Sequence, residues 1–169
     1  ALHTILEGFV SDYHGCLLNS AVPATWGDPA CIWPEQPPWW QRLPGETALE
    51  VAASLQRGLE ETGPTPAQRE RWEAFLELAG HFAPGSLVTK PGDDLFGKLL
   101  AGRSDLARGS ATVIVMRRRV ELSPELCAAA LKLVGHVAAC LVESRLEATR
   151  GVRDILERYE AVYEASVRR

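Results

Sequence analysis

Asparagine, methionine and lysine are nearly missing from this chain of 169 residues: there is one Asn, one Met and only 3 Lys against 15 Arg. The lone asparagine, Asn19, is not in a glycosylation sequon. That bias reflects coding composition rather than function. Other absences say more. No run approaches the ~20 uninterrupted apolar residues of a membrane-spanning helix, because the longest apolar stretch, 126–142, carries Lys132 and His136 near its middle. No charged n-region followed by an apolar core and cleavage site opens the chain. The balance is acidic, with a formal net charge of −4, which argues against a general nucleic-acid binder. The expectation is an intracellular protein, cytoplasmic or nuclear, with no nucleic-acid partner and no membrane insertion.

Short catalytic signatures are absent as well. The sequence has no nucleophile elbow GxSxG, no phosphate loop GxxxxGK[ST], no HExxH and no GxGxxG after a strand. The four cysteines, Cys16, Cys31, Cys127 and Cys140, form no CxxC pair. Cys127 and Cys140 sit in apolar helical surroundings, where a thiol behaves as a small hydrophobe. That favours a reducing compartment, with a Cys16–Cys31 bridge as the alternative left open.

What is present reads mainly as helix. Leu2, Ile5, Leu6, Phe9, Val10, Tyr13 and Leu17 recur at three- and four-residue steps, predicting an amphipathic helix over 2–18. A second is expected over 46–61, with Leu49, Ala52, Leu55 and Leu59 as its stripe, stopped by Gly63-Pro64. The third is the best signalled: Thr65 as N-cap, Pro66 at the first helical position and Gln68 completing a capping box. Its apolar face is Trp72, Phe75, Leu76, Ala79 and Phe82, with Gly85 as its stop.

Residues 86–90 suit a short strand, Pro91-Gly92 a turn, and Asp93 or Asp94 the cap of a short helix through Leu100. A loop is expected over 101–109. The β-branched run 111–116 is the one clear strand, with 86–90 as its expected antiparallel partner. Ser123-Pro124-Glu125 opens the last helix. Along it Cys127, Leu131, Val134, Ala138, Leu141, Arg145, Ala148, Val152, Ile155, Tyr159 and Val162 form a heptad seam broken only by Arg145. Up to Val142 the helix is apolar nearly all round, as a buried helix would be. Beyond Glu143 it is amphipathic. Some 45 residues of helix would span roughly 65–70 Å, against a radius of gyration of ~15 Å for a compact domain of this length. The helix must therefore kink near 149–151 or project from the body.

The fold expected is mostly α: a single-domain helical bundle over 1–169, about five helices with one or two short strands and a long C-terminal helix. Within it lie a Pro/Trp-rich excursion, 23–44, and an amphipathic, projecting end, 143–169.

Five constellations invite a functional reading. Asp12-Tyr13-His14-Gly15-Cys16 pairs a thiol with an imidazole, but residues two apart on a helix face apart, so a polar flank beside a core-facing Cys16 is the better reading. His136 and Cys140 share a helix face at metal-ligand spacing, and Cys31, His81, Cys16 or His14 could complete a site. Only half of such a site has a tight pair, so a buried Cys beside a satisfied His is favoured and no metal or cofactor is expected. Arg117-Arg118-Arg119 could hold an anion through Arg117 and Arg119, which alternate onto one face of an extended segment; a solvated strand end paired with surface acids is the plainer account. Residues 23–44 hold six of the eleven prolines and four of the five tryptophans, Trp26, Trp33, Trp39 and Trp40. An irregular segment of that length is usually functional or disordered, four tryptophans argue against disorder, and Trp is enriched at binding hot spots; that the rings lid the core of the bundle is an equal account. Last is the seam over Val152, Ile155, Tyr159 and Val162, a stripe that serves intramolecular bundle packing as readily as a partner helix.

Together these point to a non-enzymatic protein–protein interaction or assembly module, with a protein partner that includes a homo-dimer among its candidates. A small-molecule-binding regulatory domain, with Tyr13, His14, His81 and His136 near a pocket between helices, is the first alternative. A cysteine- or metal-dependent enzyme using Cys16 or Cys31 is the second.

Overall fold

The computed structural model describes residues 41–86 and 90–167. The expected helix over 2–18, most of the Pro/Trp segment and the core of the expected strand at 86–90 lie outside the described residues. What is described is mostly α, with five helices, one two-stranded antiparallel sheet and a long C-terminal helix.

Helix α1 spans Gly45–Glu61 and α2 spans Pro66–Gly80. The turn between them contains Gly63 at φ +65°, a conformation that costs glycine little. The buried stripe of α1 is Ala48, Ala52, Leu55 and Leu59; Leu49, expected in that stripe, is 43% exposed and instead covers Gly80 of α2. The expected capping box on α2 is present. The Gln68 backbone N–H donates to Thr65 Oγ1 (3.4 Å), and the Thr65 N–H donates to Gln68 Oε1 (3.0 Å). Gln68 also donates through Nε2 to the Val115 carbonyl (3.4 Å), tying the start of α2 to a strand. The helix ends at Gly80, earlier than the expected stop at Gly85, and Phe82 reaches the core from the loop that follows.

Helix α3, Lys90–Ala101, begins before the expected cap and takes in Pro91-Gly92, read from sequence as a turn. Proline is tolerated in a first turn because its missing N–H has no intrahelical acceptor there. Leu95, Phe96, Leu99 and Leu100 give it a buried face. The stretch expected to be loop contains a short helix, α4 (Arg103–Ala107), held by buried Leu106.

The strand partner is a second correction. Strand β1, Ala111–Val115, pairs with β2, Arg118–Leu122, in the register Ala111↔Leu122, Val113↔Val120 and Val115↔Arg118. A two-residue connection closes this hairpin at little entropic cost. Ala111, Val113, Val115, Val120 and Leu122 face the core, while Thr112, Ile114, Arg119 and Glu121 face out. The turn residues Met116 and Arg117 have φ of +49° and +64°, the two left-handed positions of a type I′ turn that normally carries Asn-Gly. Neither residue suits that region. Replacing them together (Met116→Asn, Arg117→Gly) is expected to stabilise the fold by about 1 kcal/mol, raising the melting temperature by roughly 2–4 °C. An unchanged or lowered melting temperature by calorimetry would count against strain in this turn.

Helix α5, Pro124–Val167, runs 44 residues without a break, roughly 66 Å at 1.5 Å per residue. Ser123 caps it, its Oγ accepting the Leu126 N–H (3.3 Å). The layers assemble around it: α1 lies on α2 and α5, α2 on α3, and α4 on α5. From Leu133 to Ala138 every residue is buried, so this half is a central helix covered on several sides rather than one side of a two-helix seam. Pro124–Ser144 is long and apolar enough to cross a membrane by length and composition, and 61% of it is buried inside the fold. A helix buried in a protein's own core meets the same criterion. The distal half differs: Ile155, Tyr159, Val162 and Tyr163 are all exposed.

Candidate interaction surfaces

The stretch of α5 from His136 to Ser144 gathers both incoming loops. His136 is 2% exposed, yet both ring nitrogens are engaged. The Leu43 backbone N–H donates to Nδ1 (3.1 Å), and Nε2 lies 3.0 Å from the Phe82 carbonyl. An amide N–H can only donate, so Nδ1 is the acceptor and Nε2 carries the proton given to Phe82. Burial, with the nearby Arg42 guanidinium, holds this imidazole below its ordinary pKa, against the upward pull of the Phe82 carbonyl. Beside it, Arg42 grips both carboxylate oxygens of Glu143 at 2.9 Å. Gly85 donates its N–H to Ser144 Oγ (2.6 Å), and Ser144 in turn donates to the Cys140 carbonyl (2.9 Å).

In this arrangement the His136–Cys140 pair is engaged with its own helix face and with backbone partners. Cys140 Sγ is 3.8 Å from Nδ1, a contact between neighbours on one helix face. Burial pushes its thiol pKa up, away from the thiolate a ligand or nucleophile needs. Cys127 is also a buried free thiol, its Sγ 3.6 Å from the Leu122 carbonyl. Among the described residues no group of three or more His, Cys, Asp or Glu is placed to hold a metal ion. His81 follows the end of α2 and is exposed. Cys16, Cys31, Tyr13 and His14 lie outside the described residues.

Between α1 and α2 is a cleft with about 10 Å³ of space, lined by Leu59, Glu60, Arg69, Trp72 and Leu76 among others. That is room for about one water molecule and far below the hundreds of Å³ of a small-molecule site. Trp72, which lines it, is 3% exposed and its indole N–H has no partner.

Arg117 and Arg119 do not share an extended segment as expected. Arg117 lies in the turn, while Arg119 lies on β2 opposite Ile114. With Arg118 they are exposed, none has an ion pair among the described residues, and exposed Ile114 and Met116 stand beside them. The hairpin tip is thus basic and apolar together. Neither property is visible as a surface until the turn is known.

The remaining candidate is the distal half of α5. Of the seam residues read from sequence, Ile155, Tyr159 and Val162 are 68%, 68% and 69% exposed, and Val152 lies on the same helix one turn earlier. Tyr163 joins them, its ring stacked on Tyr159 with centroids 6.5 Å apart and planes 16° from parallel. Sequence reasoning passed over Tyr163 because it is one residue off the strict seam; helical spacing from Tyr159 was the available signal. Trp26, Trp33, Trp39 and Trp40 lie outside the described residues. The described end of their segment, residues 41–44, is pinned to α5 through Arg42 and Leu43.

No protein-family model matches the chain, and comparison with curated proteins and with solved structures finds no match to either.

Proposed function

We propose that this protein is a non-enzymatic, intracellular interaction or assembly module that binds a protein partner through the distal face of α5. The observation that carries this reading is the row Ile155, Tyr159, Val162 and Tyr163, each more than half exposed on the distal part of one continuous helix. Scattered exposed apolar residues are ordinary, whereas a contiguous row at helical spacing marks a docking face. Two tyrosines add to the case, since Tyr is enriched where interfaces hold their binding energy. The Pro/Trp segment, 23–44, is proposed as a second contact, on the strength of its composition alone.

Photo-crosslinking in cells tests it. With benzoylphenylalanine in place of Tyr159, a covalent adduct to another polypeptide is expected; in place of Arg57, exposed on α1, none is. Equal yields from both positions, or no adduct from Tyr159, would sink the reading.

A further inference from the structure

We infer that the distal face of α5 pairs with the same face of a second copy of this chain, the two helices running antiparallel. This rests on the docking reading above and names its partner.

Three observations support it. The first is area. Ile155, Tyr159, Val162 and Tyr163 are each 58–69% exposed, roughly 100–150 Å² apiece and roughly 500 Å² together, toward the upper end of what a monomer leaves in water. Two such faces supply roughly 1,000 Å² before any flanking residue is added, the threshold of a specific interface.

The second is charge. Residues 143–169 carry six acidic and six basic side chains, so this half-helix is formally neutral although the whole chain is at −4. Two copies therefore meet here without net repulsion, and neither a strongly basic nor a strongly acidic partner is favoured over a second copy.

The third sets direction. Arg145 is the single break in the seam. A parallel, in-register pair would press the two Arg145 guanidinium groups together at a core position. An antiparallel overlap centred between Ile155 and Tyr159 sets Ile155 of each copy opposite Tyr159 of the other. It also separates the two Arg145 positions by about 36 Å along the axis.

Light scattering on the full chain over about 10–100 µM is the experiment. A mass of twice 18.5 kDa is expected, falling to a single chain in the variant Ile155→Glu/Tyr159→Glu while the melting of the body is unchanged. For orientation, cysteines are introduced into a Cys16→Ser/Cys31→Ser background. Ile155→Cys and Tyr159→Cys should each fail to cross-link alone and should cross-link when combined. A single-chain mass across the whole range overturns the inference, as does a dimer that survives the double glutamate variant. Cross-linking by either single cysteine overturns the antiparallel arrangement. If the wild-type chain is a monomer but the Tyr159 photo-adduct contains a different protein, the docking reading stands and only the second copy is wrong. If that adduct is internal to one chain, the face is covered by the chain's own residues and both readings fall.

Discussion

Phe75→Ala is expected to cost about 3–5 kcal/mol, a large part of the roughly 5–15 kcal/mol that holds a domain of this size together. Phe75 is fully buried, and α2, which carries it, packs against α1, α3 and α5. Its ring meets Trp72 edge-on, with centroids 6.3 Å apart and planes at 71°, a geometry that adds to simple burial. Alanine leaves a cavity that helices on several sides cannot close at once, which places the cost in the upper part of the range. The melting temperature should fall by roughly 10 °C or more. Phe75→Leu, which refills most of the space, should cost far less. Chemical denaturation of the two variants checks this, and equal losses would mean that the site relaxes around the missing ring.

Removing His136 should weaken the fold by a similar amount, for a different reason. His136→Ala opens a cavity, removes the acceptor of the part-buried Leu43 N–H and leaves the Phe82 carbonyl only the long contact with the Cys140 thiol (3.9 Å). A buried polar group without a partner costs about 1–3 kcal/mol, so about 3–5 kcal/mol in total is expected with the lost packing. The same residue makes stability depend on pH. Its folded pKa is lowered from 6.5, chiefly by burial. Well above pH 6.5 both the folded and unfolded imidazoles are neutral and the contribution is complete. Below it the unfolded chain takes up a proton that the folded one refuses, so stability falls by up to about 1.4 kcal/mol per pH unit until the folded pKa is passed. Protonation at Nδ1 would also evict the Leu43 N–H, leaving residues 41–44 held to α5 through the Arg42–Glu143 pair. Melting curves between pH 7.5 and 5 should show this slope in the wild type and lose it in His136→Gln. A slope that survives the substitution would assign the acid sensitivity elsewhere.

Much of the fold could be read along the chain because its signals are local. The α2 start is fully specified by Thr65, Pro66 and Gln68, three neighbours whose side chains and backbone satisfy one another without help from the rest of the molecule. The opening of α5 at Ser123-Pro124 is of the same kind. The misreadings have physical causes too. Pro91-Gly92 looks like a turn, yet proline at a helix start breaks no hydrogen bond, so α3 takes it in. The hairpin was hidden because Met116-Arg117 carries none of the usual I′ chemistry and the arginine run masks the alternation of Val120 and Leu122. The signal was there at period two in β2.

Of the candidate sites, the row Ile155, Tyr159 and Val162 was legible from spacing alone, since it lies on one helix. His136 was not. A buried histidine can be a ligand, a base or a clamp, and only its two backbone partners, 93 and 54 residues away in the chain, decide among them.

The amino-acid sequence by itself determined the mostly helical class, the α2 cap and the long last helix with an apolar half and an amphipathic half, because periodicity and capping act over a few residues. Tertiary structure alone decided which strand pairs with β1, what His136 holds, and which of the described side chains of α5 are buried and which exposed. Those are questions of which distant segments meet, and a pattern of local spacing carries no information about that. The row Ile155, Tyr159, Val162 and Tyr163 is where the two kinds of knowledge join: the sequence shows an apolar stripe, and these side chains of it are exposed.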